Sequence, residues 1–246
     1  MLSKNEVKYI QSLGHKKRRD EERLFLVEGS KMVAELVQQY ATQIVRLFAT
    51  ETFYTNCAEA KTIQQHFVIS NEELERISQQ QTPNQALALV HYFPQQEWSP
   101  SSTEWTLVLD AIRDPGNMGT IIRLADWFGI KHIVCSPDCA DIYNPKVIQA
   151  TMGSIMRVAV HEAELTSFLS QQQVPVVGAV LGGTELASYK FPGGGILVIG
   201  NEANGIREEV IPMLTDALMI PRFGEAESLN AAIATSIFLW ELKRGK

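Results

Sequence analysis

Short apolar runs alternate along this chain with segments whose apolar residues recur every three or four positions. That mixture of strand and helix periods is the signature of an α/β protein. Ser3 and Glu6 form a capping box for a helix with Val7, Ile10 and Leu13 on one face. Leu24-Phe-Leu-Val reads as a strand, and Met32, Val33, Leu36 and Val37 mark a helix after Gly29. Ile44-Val-Arg-Leu-Phe, His66-Phe-Val-Ile and Ala86-Leu-Ala-Leu-Val read as further strands, with a helix capped by Ser70 and Glu73 between the last two.

The alternation resumes on a larger scale downstream. Strands are predicted at Trp105–Asp110, His132–Ser136, Val174–Leu181, Ile196–Gly200 and Ala217–Pro221. Their nearly continuous apolar character suits a parallel sheet covered on both sides. The last helix is predicted to begin near Ser228, with Leu229, Ile233, Ile237 and Trp240 on one face and Ala232 and Phe238 widening it. Between the two regions lies the polar stretch Pro94-Gln-Gln-Glu-Trp-Ser-Pro-Ser-Ser-Thr103. The expected organisation is a small α/β domain over 1–95, a linker over 96–104 and a larger domain over 105–246.

Composition narrows the function classes. A chain of 246 residues with 45% hydrophobic and 20% charged residues is an ordinary globular protein, long enough for two cores. No apolar run approaches the roughly 18 residues of a membrane span, and the amino terminus lacks the apolar stretch of a secretory signal. Three cysteines cannot all pair, which fits a reducing, cytoplasmic setting. Cys135 and Cys139 are followed by no second Cys/His pair, so they read as plain thiols and no metal is expected. The net charge of -6 means that any nucleic-acid contact has to come from a local basic patch. His15-Lys16-Lys17-Arg18-Arg19 is the clearest candidate outside the glycine-bearing turns, and since Asp20-Glu-Glu follows at once, the residues alone leave a neutralised loop as the alternative.

Three glycine-bearing turns carry the chemistry. Asp110-Ala-Ile-Arg-Asp-Pro-Gly-Asn-Met-Gly-Thr-Ile-Ile-Arg123, Gly200-Asn-Glu-Ala-Asn-Gly205 and Ile220-Pro-Arg-Phe-Gly-Glu-Ala-Glu-Ser-Leu-Asn230 each follow a predicted strand. A ligand is expected at the carboxyl ends of those strands. Singly, each residue has a plainer reading: Asn117 as a helix cap, Arg123 as a surface arginine, Glu202 as a turn carboxylate, Ser228 as the cap of the last helix. Gly116 and Gly119 miss the dinucleotide-loop spacing and there is no Walker A sequence, which disfavours a Rossmann-type nucleotide-dependent enzyme.

Together and in order, the three turns resemble the signature motifs of the SpoU/TrmH family of RNA ribose 2′-O-methyltransferases, in the SPOUT superfamily. Asn117, Gly119 and Arg123 match its first motif, Gly200, Glu202 and Gly205 its second, and Ile220, Pro221, Gly224, Ser228, Leu229 and Asn230 its third. Phe25-Leu-Val-Glu-Gly29 resembles part of the L30e-like substrate-binding domain found in that family. Leu124 and the Arg222-Phe223 pair depart from the common pattern without removing a chemical group.

The resemblance implies a parallel-sheet domain with a carboxyl-terminal trefoil knot, where periodicity alone suggests an ordinary doubly wound sheet. It implies S-adenosylmethionine held at Gly200, Gly205, Ile220 and Leu229, with Ala179 lining the same cavity. By the same resemblance, Arg123 stands closest to the chemistry. A guanidinium presents a planar fork of donors, which suits a clamp on phosphate better than a base. Asn117 would assist, Glu202 would order Arg123 through a bidentate pair within the chain or across a subunit interface, and Ser228 and Asn230 would fix the third loop and contact the reacting group. A side chain at Gly200 is expected to exclude the cofactor while sparing the fold. The implied partners are RNA, ribosomal before transfer RNA, contacted by Lys16, Lys17, Arg18 and Arg19, and a second copy of the chain, with no membrane. A non-catalytic RNA-binding protein of the same fold is the alternative.

Overall fold

The computed structural model describes residues 2–94 and 97–244. Gln95 and Gln96, where the expected domain boundary falls, lie outside the described residues. The chain forms two compact units. The first comprises the described residues through Pro94 together with Tyr143–Gly153, and the second the remaining described residues.

In the first unit the order is α1 (Lys4–Ser12), α2 (Lys16–Glu22), β1 (Leu24–Glu28), α3 (Ser30–Gln39), β2 (Ile44–Ala49), α4 (Glu51–Asn56), β3 (His66–Val68), α5 (Asn71–Ile77) and β4 (Ala86–His91). Both capping boxes are present, at Ser3/Glu6 on α1 and Ser70/Glu73 on α5. The sheet runs β1-β4-β2-β3, antiparallel except for the β2/β3 pair. Val7, Ile10 and Leu13 are buried on Leu24, Leu26, Phe48 and Leu89. β1 is an edge strand, and edges must be covered or blunted. The short helix of Pro145–Thr151 packs against it, anchored by Tyr143, whose ring stacks on Tyr92 at 3.9 Å and whose hydroxyl accepts from the Phe93 N–H at 3.0 Å.

The basic run is not a loop. His15 precedes α2, and Lys16 and Lys17 stand exposed on it. Arg18 pairs with Glu21 and Glu22 at 3.2 and 2.6 Å. Arg19, expected among the RNA contacts, is 1% exposed and donates through Nη1 to the carbonyls of Leu13 and Gly14. Those carbonyls lie at the end of α1, where intrahelical donors run out. Arg19 is a structural cap and not a phosphate contact.

The second unit is a six-stranded, wholly parallel sheet of order β10-β8-β9-β5-β6-β7. Its strands are β5 (Trp105–Leu109), β6 (His132–Cys135), β7 (Ala159–Glu162), β8 (Val176–Glu185), β9 (Gly195–Ile199) and β10 (Asp216–Met219). The α6 helix (Pro115–Trp127), the Pro145–Thr151 helix (α7, in the first unit), α8 (Leu165–Ser170) and α9 (Ala231–Arg244) complete the order. β7 has no counterpart among the predicted strands. The α9 boundary and face also differ from expectation: the helix starts at Ala231, and Ala231, Ala232, Thr235, Phe238, Leu239 and Leu242 are buried. Ile233 and Trp240 point to solvent. No helix among the described residues is long and apolar enough to cross a membrane.

Candidate active site at the carboxyl edge of the parallel sheet

The carboxyl ends of β5, β9, β8 and β10 lie side by side, so the three glycine-bearing turns emerge from one edge of the sheet. Asp110 follows β5 and is 0% exposed. Its carboxylate accepts the Arg207 backbone N–H at 2.8 Å and the Arg207 Nε–H at 2.6 Å. The second turn is thereby tied to the end of β5 by an ion pair whose carboxylate is buried and whose guanidinium is half-buried. Neither residue stands out in the sequence, because Asp110 reads as a strand end and Arg207 lies beyond the second motif. Ala111 then takes a left-handed conformation, φ 57°, with its N–H on Ser136 Oγ at 2.9 Å. Such a conformation costs a non-glycine residue about 1 kcal/mol or more, here offset by the surrounding bonds.

Asp114 caps α6, its carboxylate accepting from Asn117 N at 2.8 Å, and Pro115 occupies the first turn. Asn117 is therefore not the cap. Its side chain instead donates a short hydrogen bond to Glu202 Oε1. Asn230 Nδ2 donates to Asn117 Oδ1 at 2.9 Å, and Ala231 N donates to the same Glu202 oxygen at 3.3 Å. Asn230 Oδ1 in turn accepts from Ala232 N and Ile233 N at 3.0 and 3.2 Å, which makes it the cap of α9. One residue from each motif thus closes a single hydrogen-bonded ring. Ser228, expected to fix this loop, is exposed and has no hydrogen bond among the described residues.

Glu202 reaches Asn117 because its own turn is organised elsewhere. Asn201 Oδ1 accepts from Ala203 N and Asn204 N, and Asn201 and Gly205 exchange backbone bonds. Gly205 has φ 68°. A Cβ at Gly200 would lie 2.1 Å from the Gly205 carbonyl carbon. The expectation that a side chain there spares the fold is therefore overturned: Gly200 is needed to close its own turn.

Within one chain Arg123 does not pair with Glu202. It is exposed on α6 and has no ion-pair partner among the described residues. Six residues of helix put it roughly 120° around the axis from Asn117. It shares a face with Trp127, one turn on and 83% exposed.

Of the positions expected near a cofactor, Ile220 and Ala179 are half-buried and Leu229 is exposed. Between Gly178 and Thr184 the β8 chain leaves its ladder: Ala217 pairs with Gly178, and the next residue, Leu218, with Thr184. The intervening Ala179–Gly183 forms an excursion at the same edge, with Gly182 at φ 81°. Cys139 lies behind the first turn and accepts the Ile112 N–H at 3.3 Å. Its thiol is held below the ordinary cysteine value, chiefly by the Cys135 contact, against the opposing effect of burial and with help from Ser136 and the Ile112 N–H. No cluster of ligating side chains able to hold a metal occurs among the described residues.

Comparison with known proteins matches the same halves. The SpoU rRNA Methylase family matches residues 104–240, and the MRM3-like substrate binding domain matches residues 4–88. The chain is 29% identical over 241 residues to the 23S rRNA (guanosine(2553)-2′-O)-methyltransferase RlmP of Bacillus subtilis, covering 96% of this chain and 95% of that one. A TrmH-family protein from Porphyromonas gingivalis superposes with a TM-score of 0.86 at 36% identity over the full length of both chains. An AdoMet-bound rRNA methyltransferase from Sinorhizobium meliloti superposes with a TM-score of 0.85 at 30% identity, over 100% of this chain and 96% of that one.

Proposed function

The chain belongs to the SpoU rRNA methylase family, and we propose that it transfers a methyl group from S-adenosylmethionine to a ribose 2′-hydroxyl of ribosomal RNA. The observation that carries this reading is the ring joining Asn117, Glu202 and Asn230, which draws all three motifs to one edge of the sheet. The residues there fit the cofactor. Gly205 leaves its backbone open, with nothing within 4 Å of where a Cβ would stand, and half-buried Ile220 and exposed Leu229 offer apolar surface for an adenine. When bound, the sulfonium supplies the electrophilic methyl, so the protein's contribution is position and electrostatics.

Glu202 fixes the Asn117 amide and the start of α9, which holds the third loop over the second. Asn117 and Asn230 present amide groups to the ribose. Arg123 clamps an RNA phosphate and polarises the 2′-hydroxyl, as a planar guanidinium does well and a lysine does poorly. Lys16 and Lys17 supply further phosphate contacts from the first unit. The reading includes a cytoplasmic location, with which a ribosomal RNA substrate is consistent.

The reading includes the trefoil knot of the carboxyl-terminal half and a homodimer. Support for the dimer comes from Trp127 on the Arg123 face of α6 and from Ile233 and Trp240 on α9, large apolar side chains that one chain leaves uncovered. A second copy seated on Trp127 would bring its own loops beside Arg123 and complete the site. The test is methyl transfer from labelled S-adenosylmethionine to ribosomal RNA of cells lacking this protein, with the product mapped by resistance of the modified linkage to alkali. Label in transfer RNA alone, or in no RNA, overturns the proposal.

A further inference from the structure

A second concave site lies in the first unit, whereas the three motifs belong to the second. It is a cleft of about 280 Å³ lined by Leu26, Glu28, Gln79, Gln80 and residues of α7. Leu26 and Glu28 alternate with Val27 on β1, so they share one face of the strand and form the floor. Gln79 and Gln80, which follow α5, supply one wall and α7 the other. Gln80 Nε2 donates to Gln149 Oε1 at 2.6 Å between them.

Glu28 is the unusual member. It is 5% exposed, and burial pushes its carboxyl up against the lowering effect of its bonds to Ser78 and the Gln79 N–H. Ser78 Oγ donates to one carboxylate oxygen and Gln79 N to the other, at 3.0 Å for the latter. A carboxylate offers about four acceptor sites, so two local donors leave acceptor capacity on both oxygens. A buried carboxylate with capacity to spare recognises a ligand that presents two parallel N–H donors. Leu26 on the floor and Pro145, Ile148 and Ala150 on the α7 wall are apolar and suit the face of a flat ring, while Gln79 and Gln80 line the opposite wall. Lys146 is exposed beside them, within reach of a phosphate.

We infer that this cleft is a nucleobase pocket that takes an unstacked guanine of the RNA, with Glu28 accepting from its N1–H and 2-amino group. Guanine alone among the four bases carries adjacent ring and exocyclic donors on one edge. Adenine and cytosine place an acceptor beside their amino group, and uracil flanks its N–H with carbonyls. The inference rests on RNA being the substrate, and it adds a base-reading site built from none of the motif residues.

The test uses the full chain with labelled Ile, Leu and Val methyl groups. The ligands are pentaribonucleotides of adenosine whose central residue is guanosine, inosine or adenosine. The guanosine oligomer should shift the Leu26 and Ile148 methyls and bind about 10-fold or more tightly than the all-adenosine one, the discrimination expected of a bidentate pair. Inosine, lacking the 2-amino group, should fall between. Glu28→Gln should abolish the preference. Ala150→Phe, on a half-buried wall position, should block the cleft and do the same even if the first variant folds poorly. Equal affinity for guanosine and adenosine oligomers, or shifts confined to residues outside the cleft, overturns the inference. Methylation of ribosomal RNA by the same preparation is measured in parallel. Turnover without guanosine preference sinks the pocket and leaves the function standing, whereas preference without turnover does the reverse.

Discussion

Removing the guanidinium of Arg207 strands the carboxylate that ties the second motif to β5. Asp110 is 0% exposed, and in Arg207→Met it keeps the backbone N–H at 2.8 Å but loses the charged donor at 2.6 Å. Deleting one partner of a buried ion pair costs about 3–5 kcal/mol. The Arg207 side chain is 32% exposed, so water reaches the vacated side and the lower end applies, about 3 kcal/mol. At roughly 2–4 °C per kcal/mol for a chain of this size, Tm should fall by about 6–12 °C. Because the pair holds the turn that carries Glu202, affinity for S-adenosylmethionine should fall in step, read by calorimetry below the melting transition. Asp110→Asn combined with Arg207→Met removes the stranded charge and should recover at least half of the lost stability, a coupling within the range seen for contacting residues. A single variant within about 1 kcal/mol of the parent, or a double variant no better than the single, would refute the reasoning.

Arg123→Ala should lower the single-turnover methylation rate by about 10²–10³-fold at unchanged cofactor affinity, as loss of one transition-state donor does elsewhere; Arg123→Lys should restore little. Near-parental rates in the alanine variant would remove Arg123 from the site. Trp127→Glu with Trp240→Glu should convert a dimer at micromolar concentration to monomer in sedimentation equilibrium, and a parent chain that is already monomeric contradicts the expectation. A pH effect is expected from His132 and His161, whose rings approach at 3.3 Å beneath Trp98. Burial holds both below the ordinary histidine value, and for His132 the charge of His161 adds to it. The unfolded chain therefore takes up protons first as pH falls through about 6.5, so stability from this pair is full above that point, declines through about pH 6 and levels off below the folded values. The difference in Tm between the parent and His132→Gln/His161→Gln should change over that window, and a difference that is flat with pH counts against the pair.

The elements legible in the sequence were those with a single strong local cause. The Ser3/Glu6 and Ser70/Glu73 boxes fixed two helix starts, and the uninterrupted apolar runs marked strands buried on both faces, such as β5 and β9. β7 escaped because it is an edge strand with one buried residue, Val160, too little for a pattern. In α9 two apolar stripes compete. The larger side chains at 233, 237 and 240 suggested the core face, yet the packed stripe is 231, 235, 238 and 242. Burial is decided by the neighbouring helix, since α9 packs on α6, and that neighbour is not in the local sequence. Arg19 differs from Arg18 only in which side of a two-turn helix it occupies. At the site, motif order located Asn117, Glu202 and Asn230, but their mutual bonding and the Asp110–Arg207 tie depend on contacts 85 to 113 residues apart.

Tyr143 and α7 seal the exposed edge of a sheet whose last strand ended at His91. During synthesis, therefore, the first sheet can pair its strands early but must wait with β1 unshielded until Thr151 has left the ribosome. β5, α6 and β6 of the other unit are made in that interval. Transplanting the first unit between relatives faces the same geometry: a single junction near residue 95 would exchange the sheet and leave behind the segment that closes it, so a working chimaera requires two junctions on either side of 143–153 as well.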